Sequence, residues 1–429
     1  MKLKSILLGA SAAALAATGA QAADLPVAPE PVDYVRVCDA FGTGFFYIPG
    51  TETCLRIGGR IRTELRFNDF GDSGNHNLSA WDEDSDVGTA FRARGYARFD
   101  SRTNTEYGLL RTYLEMYWTN TTNGATPAGD GTTIDKAFIQ FGGLTAGRAA
   151  SFYDFYTGDA WGSVQNQGFA DNGSVNLFGY TFAFGNGFSV SASIEDGTDR
   201  RAGIAFLSTT AVGSGNAIYP ASSLTTVIGV TTFGVNVTNG YGGHRIPDFV
   251  ANLRVDQGWG SAQVMGALHH VYSDNQIVGY NADDELGWAI GAGVTINLPM
   301  LAPGDSFSFQ GSYAHGASNF AAAGNGIYYD AVVDPVTGDL ELTDAWAIGA
   351  GFTHYWVPEF SSSLSASYLD YDHDIIPDLS EWNVQGNLVW HPVAGLDIGA
   401  ELEYSNQDYS SGAGDKDSIS AIIRVQRTF

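Results

Sequence analysis

Apolar and polar residues alternate along most of this chain, the period of β-strands. From Gly395 to Ser405, Leu396, Ile398, Ala400, Leu402 and Tyr404 fall on one face, and Asp397, Glu401 and Glu403 on the other. From Glu381 to Trp390, Trp382, Val384, Leu388 and Trp390 oppose Glu381, Asn383, Gln385 and Asn387. Over 286–298 the even positions are Leu286, Trp288, Ile290, Ala292, Val294, Ile296 and Leu298, with Gly, Ala, Thr or Asn between them. Further runs lie at 55–67, 89–100, 107–118, 133–141, 143–148, 177–184, 187–195, 247–256, 260–272, 304–315, 343–356, 361–371 and 417–429, which brings the predicted strands to sixteen. Residues 200–207 and 225–237 also alternate, but they lack aromatic ends and flank a Ser/Thr/Gly-rich stretch. We read 196–246 as one long loop.

Three features place these strands in a membrane. Many run to 10–13 residues, longer than the usual five or six of soluble sheets and suited to a tilted bilayer crossing. Trp346 and Trp356 share a face ten residues apart, about 33 Å along a strand and about 25 Å of height at barrel tilt, the spacing of two interfacial girdles. Trp382 and Trp390 repeat the pattern. The opposite face is polar and charged, which suits a watery lumen. In lipid a sheet edge is intolerable, so the sheet must close. The connections alternate too. Long ones cover 68–88, 119–132, 149–176, 196–246, 273–283, 316–342, 372–380 and 406–416; short ones cover 101–106, Gly142-Gly143, Gly185-Asn186, 257–259, 299–303, 357–360 and 391–394. Long external loops and short periplasmic turns are the outer-membrane pattern. The expected fold is all-β: a transmembrane antiparallel β-barrel of sixteen strands over 55–429.

The start of the chain reads as an address. Lys2 and Lys4 precede the apolar run Ile6–Ala17, and Ala20-Gln21-Ala22 is a small-x-small cleavage site, so residues 1–22 are expected to be a signal peptide. Residues 23–54 then form a periplasmic N-terminal segment. Export puts Cys38 and Cys54 in an oxidising compartment, where a disulfide is the expected state. Charged residues are only 16% of the chain, below the roughly 25% of soluble domains, as a lipid-facing exterior requires. The net charge of −26, or −28 without Lys2 and Lys4, excludes nucleic acid as a partner. No metal or cofactor is expected. The eight His are spread, and His269 and His270 point to opposite faces of a strand. Asp82-Glu83-Asp84-Ser85-Asp86 lacks the fixed Gly and closing Glu of a calcium loop. No Ser/His/acid spacing suggests an enzyme.

The basic residues are concentrated. Arg56, Arg60, Arg62 and Arg66 lie opposite Leu55, Ile57, Ile61 and Leu65; Arg92, Arg94 and Arg98 oppose Phe91, Ala93, Ala97 and Phe99; Arg111 faces away from Leu110 and Leu114. These eight residues, of 19 basic ones after the signal peptide, line one wall of the expected lumen. Interior acids such as Glu64, Glu106 and Glu115 are expected to pair with some of them, leaving a basic ladder.

Val32-Asp33-Tyr34-Val35-Arg36-Val37-Cys38-Asp39-Ala40, with Phe46-Tyr47-Ile48-Pro49-Gly50-Thr51-Glu52-Thr53-Cys54-Leu55-Arg56-Ile57-Gly58-Gly59, closely resembles the start of the alphaproteobacterial general porins of Brucella and rhizobia. Phe141-Gly142-Gly143-Leu144-Thr145-Ala146-Gly147-Arg148, followed by Ser151-Phe152-Tyr153-Asp154-Phe155, resembles the same family entering its inward-folded third loop. Val425-Gln426-Arg427-Thr428-Phe429 resembles its ending, and a terminal Phe429 suits recognition by the barrel-assembly machinery. The resemblance implies a homotrimer of sixteen-stranded, water-filled channels in outer-membrane lipid and lipopolysaccharide. It also implies that loop 149–176 folds inward opposite the ladder, with acids Asp154, Asp159 and Asp171 and anchors Phe152, Tyr153, Phe155, Tyr156 and Trp161. A field between acidic loop and basic wall would orient polar solutes. The function expected is passive diffusion of ions and small hydrophilic solutes. The alternatives are a surface adhesin or structural barrel acting through loop 196–246, and a solute-specific channel.

Overall fold

A computed structural model describes residues 36–67, 89–123, 126–162, 173–208, 234–236, 240–274, 282–322, 329–334, 336–410 and 416–429. The expected signal peptide, Asp171 and most of 209–239 lie outside them. The chain divides into a unit ending at Cys54 and a unit from Leu55 to Phe429.

In the first unit a one-turn 3-10 helix, Asp39–Phe41, precedes the short strand Phe46–Tyr47. Cys38 and Cys54 form the expected disulfide, with Cα atoms 6.0 Å apart. Both sulfurs are buried with Phe45, against Phe41 and Tyr47.

The second unit is a closed antiparallel barrel of sixteen strands. In chain order they are β1 (Cys54–Phe67), β2 (Thr89–Thr105), β3 (Gly108–Asn123), β4 (Thr126–Phe141), β5 (Leu144–Ala150), β6 (Ser174–Gly185), β7 (Phe188–Glu195) and β8 (Asp248–Gln257). They continue with β9 (Gly260–Val271), β10 (Glu285–Asn297), β11 (Ser306–His315), β12 (Asp344–Val357), β13 (Phe360–Asp372), β14 (Leu379–Val393), β15 (Leu396–Tyr409) and β16 (Lys416–Thr428). Each pairs with the next, and β16 returns to β1, Arg60 opposite Thr428 through Phe67 opposite Ala421. Every strand predicted from alternation is present. The turn between β6 and β7 is Gly185-Asn186-Gly187, with φ of 92°, 51° and 79°. Glycine occupies such left-handed backbone freely, and Asn is among the few other residues that visit it.

The outward face is apolar and exposed, as lipid requires: Leu388, Leu402 and Ile423 are each about half exposed or more. Aromatic pairs ring both ends of it. Trp346 packs on Tyr368, Trp382 on Tyr404 and Trp288 on Tyr313 at one end; Trp390 stacks on Phe360 at the other. The four tryptophans of the predicted pattern, Trp346, Trp356, Trp382 and Trp390, are all exposed on this face.

The alternating stretches in 200–207 and 225–237 do not lengthen the barrel in their described parts. Ile204–Ser208 pairs with Gly234–Asn236 and, in parallel, with Ala331–Val333, which pairs with Leu340–Leu342. This small sheet belongs to the loops. Segments of the same loops pack inside the barrel. Ala267, Ala289, Ala314, Ala345 and Ala347 alternate with exposed Leu268, Ile290, Tyr313, Trp346 and Ile348, so they face inward. Against these small residues pack Phe320, Tyr329 and Val332 from the loops and Tyr153 from the third loop. One side of the lumen is thus filled by a packed apolar cluster, and the wall of β1–β3 lies outside it.

Candidate constriction site

The third loop begins where β5 ends, and its backbone is tied to the inner wall strand by strand. Phe152 N–H donates to Glu195 of β7 at 3.0 Å, and Asn252 of β8 donates to the Phe152 carbonyl at 2.6 Å. Gln263 of β9 donates to the carbonyls of Phe152, Tyr153 and Asp154 at 3.3–3.4 Å. Tyr156 N–H reaches Gln310 of β11 at 2.9 Å, and the N–H groups of Asp159 and Ala160 reach the Ser365 hydroxyl of β13 at 3.1 and 2.9 Å. The carboxylate of Glu401 on β15 accepts the N–H groups of Trp161 and Gly162 at 2.5 and 2.9 Å. Inward polar side chains that alternation assigned to a wet lumen therefore satisfy the backbone of an irregular segment, which buried peptide groups demand. Glycines clear the path. A Cβ at Gly179 would meet the Phe152 ring, at Gly293 the Phe155 ring, at Gly351 the Tyr156 hydroxyl and Asp159, and at Gly399 the Trp161 ring. Lumen-facing glycine opposite an aromatic anchor is the signal that sequence reading passed over.

The loop acids are absorbed locally. Asp154 bonds Arg200, a fully buried guanidinium, at 2.6 Å. Asp159 accepts from the Tyr156 hydroxyl at 3.1 Å and from Thr353 at 3.4 Å. Burial raises its carboxyl above the ordinary carboxylate range, and these hydrogen bonds only partly offset that. Asp171 lies outside the described residues.

The opposite wall carries the arginines. Glu64, buried in β1, is the hub. Arg62 and Arg66 each approach it at 3.2 Å, Arg424 of β16 at 2.6 Å, and Arg92 of β2 closes the group. Arg98 pairs with Glu115 at 2.8 Å, and Arg102 and Arg111 share Asp100 at 2.7 and 2.9 Å. Arg60 and Arg94 are in no ion pair among the described residues. Arg60 lies 3.9 Å over the Tyr96 ring. Arg94 lies 4.3 Å over the Tyr117 ring and donates to Thr119 at 2.8 Å and to the Tyr96 hydroxyl at 3.3 Å. Aromatic faces hold a guanidinium without cancelling its charge. Arg56, near the foot of β1, is exposed. Around this wall, Arg60, Arg62, Arg66, Arg92, Arg94, Arg98, Arg102, Arg111 and Arg424 face the carboxylates of Glu64, Asp100 and Glu115, with Glu401 beside Arg424, so guanidiniums are in clear excess. Arg102 and Arg424 extend the set that alternation in the first three strands suggested. Arg424 belongs to the last strand and joins the wall only through closure. Its guanidinium also lies 4.2 Å over Trp161, so the far end of the third loop rests against the basic wall.

Phe429 exchanges two backbone hydrogen bonds with Gly59, each 3.0 Å, and the residue as a whole is 68% exposed.

A profile of the porin subfamily matches residues 24–425. The chain is 30% identical, over the full length of both proteins, to the porin Omp2b of Brucella suis biovar 1 (strain 1330) and to that of Brucella canis. Among solved structures, the outer membrane channel DcaP of Acinetobacter baumannii superposes with a TM-score of 0.63 at 15% identity, covering 89% of this chain and 99% of that one.

Proposed function

The chain belongs to the porin subfamily, and on that premise we propose that its constriction favours anions. It is an outer-membrane channel for passive diffusion of ions and small hydrophilic solutes. The observation that carries the proposal is the imbalance on this wall: nine guanidiniums cluster about Glu64, Asp100 and Glu115, with Arg60 and Arg94 in no ion pair among the described residues. The loop acids do little to offset it, since Asp154 is paired with Arg200 and Asp159 lies against Tyr156 and Thr353. Net chain charge is acidic, but a permeating ion feels charges within about a Debye length, ~10 Å at 0.1 M salt. Reversal potentials of the purified protein in planar bilayers, under a tenfold KCl gradient, test this. An anion-selective potential is expected, and a cation-selective one would overturn the reading.

The short strand β5 supports the homotrimer. Its seven residues give about 24 Å of strand, so about 18 Å of height at barrel tilt, less than the ~25 Å apolar band lipid requires. That stretch of wall is better covered by protein, and a second and third copy are the cover we propose. Phe429, at the edge of the β1–β16 seam, is the proposed signal to the assembly machinery, and lipopolysaccharide the proposed external lipid partner.

A further inference from the structure

Above the constriction, a chain of buried titratable groups joins two external loops to the barrel. His269, on β9, is 1% exposed. Its Nδ1 lies 2.8 Å from Asp248 Oδ1, at the start of β8. Its Nε2 lies 3.1 Å from the hydroxyl of Tyr241, in the loop between β7 and β8. The Tyr241 hydroxyl donates to Asp330 Oδ2 at 2.6 Å, in the loop between β11 and β12. Asp330 also accepts the N–H of Ala202 at 2.8 Å and of Ser318 at 2.7 Å, one from each loop. Among the described residues, the other titratable or charged groups near this chain include Arg201, 4.6 Å over the Tyr241 ring, the buried Tyr371 beside Asp330, and the Arg200–Asp154 pair of the neighbouring layer. Phe320 closes the site edge-on to His269.

Counting protons ties the state of the imidazole to that of Asp330. A tyrosine has one hydroxyl proton, and here it lies on the short bond to Asp330. The hydroxyl oxygen therefore presents a lone pair to Nε2, and the carboxylate of Asp248 presents one to Nδ1. With Asp330 ionised, both ring nitrogens donate, and His269 is an imidazolium between two carboxylates. Deprotonation leaves two lone pairs facing each other. Tyr241 must then turn its proton to the ring, and Asp330 is left as a buried carboxylate without its nearest cation. Burial already raises the Asp330 carboxyl above the ordinary range, so carrying its charge there is costly.

We propose that Asp248, His269, Tyr241 and Asp330 form a proton-operated latch that holds residues 200–206, 318–322 and 329–333 inside the extracellular end of the barrel. The latch is complete while the imidazole keeps both protons and comes apart as pH rises beyond that range. The packed loop segments then leave the alanine-lined wall, and the mouth of the channel changes width. A buried histidine paired across two loops is a suitable switch because its charge decides whether the whole hydrogen-bond chain is satisfied.

The test uses the full-length folded protein, with folding checked by heat-modifiable gel mobility. Trypsin cleavage at Arg200 and Arg201, normalised to an unfolded reference peptide, is followed from pH 6.5 to 9.5. Wild type is expected to resist at pH 6.5 and to be cut at least threefold faster at pH 9.5. His269→Gln is expected to be cut at the fast rate throughout, and Tyr241→Phe, which removes one hydroxyl and little volume, to show a flattened curve. Open-channel current noise in bilayers should follow the same order; this arm alone rests on the channel reading. A pH-independent wild type, or variants that retain the wild-type pH curve, would overturn the latch.

Discussion

Replacing Arg60 and Arg94 together by Gln removes the two guanidiniums that no described acid balances, and Tyr96 and Tyr117 remain in place beneath them. The local charge of the wall falls by two units. For an ion about 8 Å away in water, each unit charge contributes about 0.5 kcal/mol, which screening at 0.1 M salt reduces to about 0.2 kcal/mol. Two charges act on anions and cations with opposite sign, so the free-energy difference between the two ions changes by roughly 0.9 kcal/mol, about a fivefold fall in the anion-to-cation permeability ratio. Reversal potentials at 0.1 M mean salt read this directly. At 1 M salt, where the Debye length is ~3 Å, the difference from wild type should nearly vanish. A double variant with wild-type selectivity at low salt would refute the view that these two residues set the potential of the pore. A change that persists undiminished at 1 M salt would point instead to altered shape.

Three other outcomes follow from named contacts. Gly351→Val places a side chain where the Tyr156 hydroxyl and Asp159 sit, so the third loop should leave that wall and single-channel conductance should fall. Glu64→Gln leaves four guanidiniums without their shared carboxylate; removing one partner of a buried pair costs about 3 kcal/mol or more, and the temperature of the heat-modifiable gel transition should drop. Reducing the Cys38–Cys54 bond, which closes a loop with a sequence separation of 16 and contributes roughly 3 kcal/mol by chain entropy, should loosen the backbone around the already exposed Arg36 and speed its cleavage by trypsin, while conductance stays at its wild-type value.

Much of the barrel was legible because a bilayer leaves few choices. Each strand must show lipid one face, so Trp346, Ile348 and their kin had to alternate, and the sixteen strands could be placed from that rule. The same rule put Arg60, Arg62, Arg92 and Arg94 on the inner face. It could not say which of them were neutralised, because Glu64 draws arginines from three strands and one of these, Arg424, is distant in sequence. The fate of Asp154 was hidden for a similar reason: its partner Arg200 belongs to a different loop. Inward alanines and glycines were the least legible. Small residues read as a weak lumen face, whereas Ala267, Ala289 and Gly293 are sockets for aromatic side chains of loops that fold back inside.

The contact between Arg424 and Glu64 also bears on how the cylinder shuts. The two residues stand 360 positions apart, and bringing such distant ends together costs about 5 kcal/mol in the length-dependent part of closure entropy alone. That cost must be met by the seam between β1 and β16, whose backbone ladder would form almost equally well one residue out of step. A slip by one residue turns every side chain to the other face, which would push Arg424 into lipid and take from Glu64 one of its four guanidiniums. An ion pair buried at the seam thus makes the wrong closure far more costly than the right one. The residues proposed to tune the passage of ions are also those that fix the alignment in which the first and last strands meet.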